Sequence, residues 1–159
     1  MSTIGFNAHD HNVCIKDNIA KVDAHCLEAG LQLTPVRRRV LEILLQEHRA
    51  MGAYELLDRL REEGLGSQPP IAYRALDFLV SNGFAHRIER LNAFVACTDP
   101  SHDHAPAFLI CRSCSSVAET QTQMQKGALA NTASEAGFKI ERTVIEAEGI
   151  CPSCQTEAT

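Results

Sequence analysis

Tryptophan is missing from the 159 residues, and phenylalanine and tyrosine together reach only 5%. Hydrophobic residues still make up 45%, so a core can form, and it must be built from Leu, Ile, Val and Ala. No apolar run approaches eighteen residues, which excludes a transmembrane helix and a membrane partner. The opening MSTIGFNAHDHNVC lacks a charged segment followed by an apolar one. No secretory signal is expected, and the default is a cytoplasmic protein. An excess of positive charge is also lacking: the net charge is −5, which does not announce a nucleic-acid partner. No serine–histidine–acid set, phosphate-binding glycine loop or pair of catalytic carboxylates stands out, so an enzyme is not expected. There is no internal repeat, and the length suits one domain or two small ones.

What is present is cysteine, seven residues of it. In a protein of the reducing cytoplasm, that count points to metal binding or thiol chemistry before disulfides. Charge is unevenly divided. Residues 30–90 hold nine arginines, no lysine and eight acids, whereas residues 91–159 hold four basic residues against eight acids. A DNA-facing first half is compatible with this split, though not required by it.

The organisation reads as a loose tail over residues 1–15, then helices. Ile19, Val22, Cys26 and Ala29 predict a helix from Asp17 to Gly30. In TPVRRRVLEILLQEH, Thr34 caps, Pro35 suits the first turn, and Val36, Val40, Ile43 and Leu44 form a stripe. GAYELLDRLREEG repeats the pattern and ends at Gly64. QPPIAYRALDFLVSNG opens on two prolines. It has Ala72, Leu76, Leu79 and Val80 on one face and Tyr73, Arg74, Asp77 and Ser81 on the other. FAHRIERLNAFVAC then predicts a β-hairpin around Leu91–Asn92. Helices followed by a hairpin describe a winged helix-turn-helix, here over residues 16–90. The polar TDPSHDHAP marks a hinge within residues 91–106. Residues 107–159 form a second, small α/β unit: strands at Phe108–Ile110 and from Val117, a helix near residues 121–136, and a strand from Phe138 to Ala147. The fold class is α+β.

Two Cys-x-x-Cys pairs carry the strongest chemistry. Cys111 and Cys114, with Cys151 and Cys154, offer four thiolates, which satisfy tetrahedral zinc and leave no open position. A redox dithiol would explain one pair but not two. Setting these aside leaves His86, Cys97, His102, His104 and Glu119. Singly, each has an ordinary reading: surface histidine, small buried thiol, solvated acid. Together they make a nitrogen, sulfur and oxygen donor set suited to zinc, because His86 and Cys97 lie near the two ends of one hairpin. His104 and Glu119 flank the first cysteine pair and can converge beside it. No second cysteine stands near Cys97 in the sequence to make a thiol pair. The segment HDHNVC (His9, His11, Cys14) sits in the expected tail and receives no role.

LTPVRRRVLEIL, AYELLDRL, PPIAYRALDFLVSNGFAHRIE, FVAC, HAPAFLICRSCSSVAE and GICPSC together resemble the ferric uptake regulator family, most closely its zinc uptake regulators. The resemblance covers nearly the whole chain from about residue 17. It implies an N-terminal winged helix, a C-terminal dimerisation domain and zinc-dependent binding of a homodimer to double-stranded operator DNA. It also implies two Zn(II) per chain: a structural ion at Cys111, Cys114, Cys151 and Cys154, and a regulatory ion at His86, Cys97, His104 and Glu119, with His102 as the alternative ligand. Arg74, Tyr73 and Tyr54 become the groove and phosphate contacts. Two features depart from the iron- and peroxide-sensing relatives. Only SHDH stands where those carry several adjacent histidines, and no histidine follows His104. A soft thiolate at Cys97 also favours zinc over iron. The rivals are an iron or peroxide sensor of the same family, a zinc hydrolase, and a redox dithiol protein.

Overall fold

The computed structural model describes residues 10–47, 49–66, 68–100, 106–121 and 127–157. His9, His102 and His104 therefore lie outside the described residues, as does the side chain of His11.

Helix α1 (His11–Ala29) starts earlier than its apolar spacing suggests. The Asp10 carboxylate accepts from the Asn12 amide at 3.0 Å and caps the helix, so residues 11–15, read above as tail, are its first turn. Ile15 then extends the face that Ile19, Val22 and Cys26 bury. Gly30, at φ +67°, ends the helix in the left-handed conformation that a side chain would disfavour. In α2 (Pro35–Gln46) the Thr34 hydroxyl accepts from the Arg37 amide, and Val40, Leu41, Ile43, Leu44 and Leu45 are buried. Helix α3 (Ala53–Glu62) buries Ala53, Leu56, Leu57 and Leu60. Helix α4 (Pro69–Ser81) buries Ala72, Ala75, Leu76 and Leu79; Val80, placed on the core face above, is instead exposed. Each fully buried leucine of this cluster stabilises by about 1.5–3 kcal/mol.

Strands β1 (Ala85–Ile88) and β2 (Ala93–Ala96) pair antiparallel as the wing, with Ala85 opposite Ala96 and Ile88 opposite Ala93. Residues 93–96 thus form the second strand of the hairpin expected from FAHRIERLNAFVAC, and the hinge range of 91–106 overlaps it. A second sheet has the order β4-β3-β5. Its strands β3 (Pro106–Cys111) and β4 (Val117–Gln121) are antiparallel, and β3 and β5 (Ile145–Gly149) are parallel. Helices α5 (Ala128–Glu135) and α6 (Pro152–Glu157) complete the described elements. The expected strand from Phe138 is shorter and later. Its alternation is real, but Phe138, Ile140 and Val144 are exposed, and only residues 145–149 find β3 as a partner. The expected helix at 121–136 begins at Ala128, because Gln121 still belongs to β4.

Two apolar clusters hold this α+β fold, a winged helix-turn-helix followed by the smaller unit. The larger joins α1 to α4. The smaller packs Ile88 and Val95 of the wing on Phe108, Ile110 and Val117 of the second sheet. Polar contacts tie the same junction: the Glu89 and Arg90 amides donate to the Glu146 carboxylate at 2.6 and 3.0 Å, and Arg90 grips Glu148 at 2.8 and 3.1 Å.

Candidate metal centres

Cys111 ends β3, and the turn over residues 112–114, closed by the Ser115 amide donating to the Cys111 carbonyl at 2.9 Å, brings Cys114 back. Parallel pairing sets Cys111 opposite Gly149, so β5 delivers Cys151 beside it, and the first turn of α6 adds Cys154. The four sulfurs lie within 4.8 Å of one another. Sulfurs at about 2.3 Å from one tetrahedral ion stand about 3.8 Å apart. Cys114 and Cys151 are 3.8 Å apart, so the donor set fits zinc and is too open for a disulfide. The Cys151 amide donates to the Cys111 sulfur at 3.3 Å. That bond, with another from the Cys114 amide, holds the Cys111 thiol down at about 6. Hydrogen bonding with Cys151 pushes Cys154 the other way, to about 12. Four adjacent thiols cannot all ionise without a cation among them.

The second cluster spans the junction of the two sheets. His86 lies on β1, Cys97 directly follows β2, and Glu119 lies on β4. Their donor atoms fall within 4.8 Å of one another. His86 Nε2 is 3.3 Å from Glu119 Oε1, and Cys97 Sγ is 3.8 Å from the same oxygen. The other carboxylate oxygen accepts from the Thr98 amide at 2.9 Å. Glu119 is not the solvated acid of its ordinary reading: only 6% of it is exposed, and Cys97 is fully buried. Burial, then the neighbouring Glu119 carboxylate, pushes the Cys97 thiol far up. A buried carboxylate beside a thiol and an imidazole is costly without a cation, by several kcal/mol in order of magnitude. Imidazole, thiolate and carboxylate together suit zinc.

Sequence reasoning missed the wall behind this cluster. Cys14 and Asn18 of α1 line a small cavity together with Cys97 and Glu119. Cys97 thus has a cysteine across a shared cavity, where the sequence shows none nearby. No sequence signal reveals this, because α1 and Cys97 are some 80 residues apart.

Tyr54 and Tyr73 are 68% and 44% exposed, so neither is a core side chain. They line an open groove between α3, α4 and the wing. Arg74 is exposed on α4. The other eight arginines of residues 30–90 are engaged, for example Arg39 with Glu63 and Glu42, Arg49 with Glu47 and Glu55, and Arg37 over the Phe78 ring. Among the described residues, Arg74 alone of the nine makes no ion pair or side-chain hydrogen bond.

No helix among the described residues is long and apolar enough to cross a membrane. Residues 28–148 match the profile of the Ferric uptake regulator family. The chain is 37% identical over 139 residues to the zinc uptake regulation protein of Escherichia coli K12, covering 86% of this chain and 80% of that protein. It superposes on a zinc uptake regulator solved in complex with zinc and DNA at a TM-score of 0.84 and 35% identity, over 91% of this chain and 98% of that one. The holo form of XcZur matches at 0.79 and 40%, over 89% and 99%. A four-cysteine cluster in the second unit and a His86–Cys97–Glu119 cluster between it and the winged helix thus coincide with this likeness: the chain belongs to the ferric uptake regulator family.

Proposed function

We propose that this protein is a zinc-responsive transcriptional repressor that binds operator DNA as a homodimer when its regulatory zinc site is filled, and so controls zinc-uptake genes. One observation carries the reading: the buried His86–Cys97–Glu119 cluster joins the wing to the second sheet. The fourth ligand comes from residues 101–105, with His104 assigned and His102 as its rival. Cys111, Cys114, Cys151 and Cys154 hold a structural ion, giving two per chain. Residues 16–90 are then the DNA-binding unit, with the wing running on to Ala96, residues 91–106 the hinge region and residues 107–159 the dimerisation unit. The homodimer is supported by apolar side chains left exposed on that unit: Leu109, Leu129, Phe138, Ile140 and Val144. A partner that is operator DNA makes the cytoplasm the place of action.

When bound, the regulatory ion supplies a cross-link that only ligands already gathered can make. His86 and Cys97 fix the end of the wing, and Glu119 fixes it to β4. The wing and α4 are thereby held at one angle to the dimer unit, so two recognition helices face successive major grooves about 34–36 Å apart. Zinc then acts through its differential affinity for that arrangement, and operator DNA tightens zinc by the same factor. The Cys97 thiolate disfavours an iron or peroxide sensor, which would use nitrogen and oxygen donors alone. A hydrolase would need a metal position open to solvent and substrate, whereas this cluster is buried. Operator binding by the purified protein, titrated with Zn(II), Fe(II), Mn(II) and Ni(II), tests the reading. Zn(II) is expected to restore binding at the lowest free concentration. Restoration by Fe(II) alone would overturn it.

Arg74 is the contact to alter first. It lies on α4 with its guanidinium uncommitted, and a base-reading arginine contributes about 1–3 kcal/mol per half-site. Arg74→Ala is expected to weaken operator binding by that amount in a gel-shift titration, with zinc content and melting unchanged. Parental affinity would remove Arg74 from the interface.

A further inference from the structure

Asn18 is one of two polar side chains among the described residues that are buried, and only 6% of it is exposed. Its Nδ2 donates to the carbonyl oxygen of Cys97 at 2.8 Å, across 79 residues of sequence. Its Oδ1 is buried and has no hydrogen-bond donor among the described residues. A half-satisfied buried amide is worse for stability than an apolar side chain of the same size. Packing therefore does not account for Asn18. What the amide does accomplish is to fix one peptide.

That peptide belongs to a metal ligand. The Cys97 amide donates to the Phe84 carbonyl at 2.9 Å, and the Thr98 amide donates to Glu119 at 2.9 Å. Asn18 supplies the remaining restraint, on the carbonyl between them. With all three in place, the Cys97 sulfur is aimed at the Glu119 oxygen shared with His86. Without Asn18 a buried carbonyl loses its donor, the Cys97–Thr98 peptide plane is freer to rotate, and the sulfur and the Glu119 contact shift together. We infer that Asn18 is a positioning residue for the regulatory metal site, and that α1 is part of the sensor. This rests on the reading of that site given above. Because α1 also packs on the helical core through Ile15, Ile19 and Val22, filling the site and docking α1 stabilise one another.

Asn18→Leu keeps the branched shape, with larger methyl groups, and removes the donor. Asn18→Ala is carried alongside, so that either variant that folds decides the matter. Cys14→Ser is the control, since Cys14 lines the same cavity but makes no described hydrogen bond to the Cys97 peptide. Three properties are read: second-site zinc affinity by chelator competition, the sulfur-to-cobalt charge-transfer bands of Co(II) at that site, and melting of the form holding only the four-cysteine ion. Loss of a supporting partner typically costs about 10–100-fold in metal affinity. That loss is expected for Asn18→Leu, with altered cobalt bands and only the small fall in melting of the one-ion form that one orphaned carbonyl brings, while Cys14→Ser behaves as the parent. Affinity within about threefold of the parent, well short of the usual supporting-partner effect, would overturn the inference. So would unchanged cobalt bands, or an affinity loss that merely follows a fall in melting. If Cys97→Ser keeps the second ion, the site itself is misassigned, and that failure is separate from any result at Asn18.

Discussion

Cys154→Ser is expected to unfold the C-terminal unit rather than merely silence it. Helix α6 has six residues and buries none of them. Strand β5 pairs only with β3, and after Gly149 the described attachments to β3 converge on the cysteine cluster: the Cys151 amide on the Cys111 sulfur, and Cys114 beside Cys151. Among the described residues, no side chain of α6 is buried to replace that anchor. Structural zinc contributes about 10–16 kcal/mol to the folding of zinc-finger peptides, and losing even part of this exceeds the margin of a small domain. Calorimetry should show melting lowered by roughly 10 °C or more, on the usual several degrees per kcal/mol. Size-exclusion chromatography should show the dimer lost, since its exposed apolar face belongs to the same unit. Cys111→Ser should behave alike. A Cys154→Ser protein with parental melting and dimerisation would sink the structural-ion assignment.

The sequence makes some of this legible and hides the rest for identifiable reasons. Helix α2 is readable because Thr34, Pro35 and the spacing of Val40, Ile43 and Leu44 all agree. The four-cysteine cluster is readable because its ligands come in two local pairs, so spacing carries the geometry. The start of α1 is not, because Asp10 caps it inside a run that is otherwise polar. The alternation from Phe138 is readable as a strand but not as a paired one: pairing depends on the six residues of β3, which reach only as far as residue 145. His86, Cys97 and Glu119 can be gathered as donors by elimination. Their burial at one point depends on packing between two sheets, which no local pattern encodes. Asn18 is invisible for the same reason, since its single informative contact is 79 residues away.

Cys97→Ser is expected to separate sensing from folding. Serine preserves the shape of the side chain, although its shorter C–O bond leaves the hydroxyl beyond hydrogen-bond reach of the Glu119 oxygen that lies 3.8 Å from the sulfur. Without a metal, burial keeps the Cys97 thiol protonated, so the change replaces one neutral group with another and should cost about 1–3 kcal/mol for the buried hydroxyl, less than the loss of a structural ion. Zinc, however, loses its only soft donor at that site and retains imidazole and carboxylate. The variant should be a stable dimer holding about one zinc per chain against about two in the parent, on the four-ligand count for each ion. It should fail to bind operator at zinc concentrations that saturate the parent, because the metal cross-link between the wing and β4 is then lost. His102→Ala and His104→Ala, assayed in parallel, identify the fourth ligand: His104→Ala should copy Cys97→Ser and His102→Ala should not. If the two results are reversed, the site stands with its ligands exchanged. If Cys97→Ser retains both ions and normal zinc-dependent DNA binding, Cys97 is a packed thiol, and the cluster at the junction of the two sheets is not the sensor.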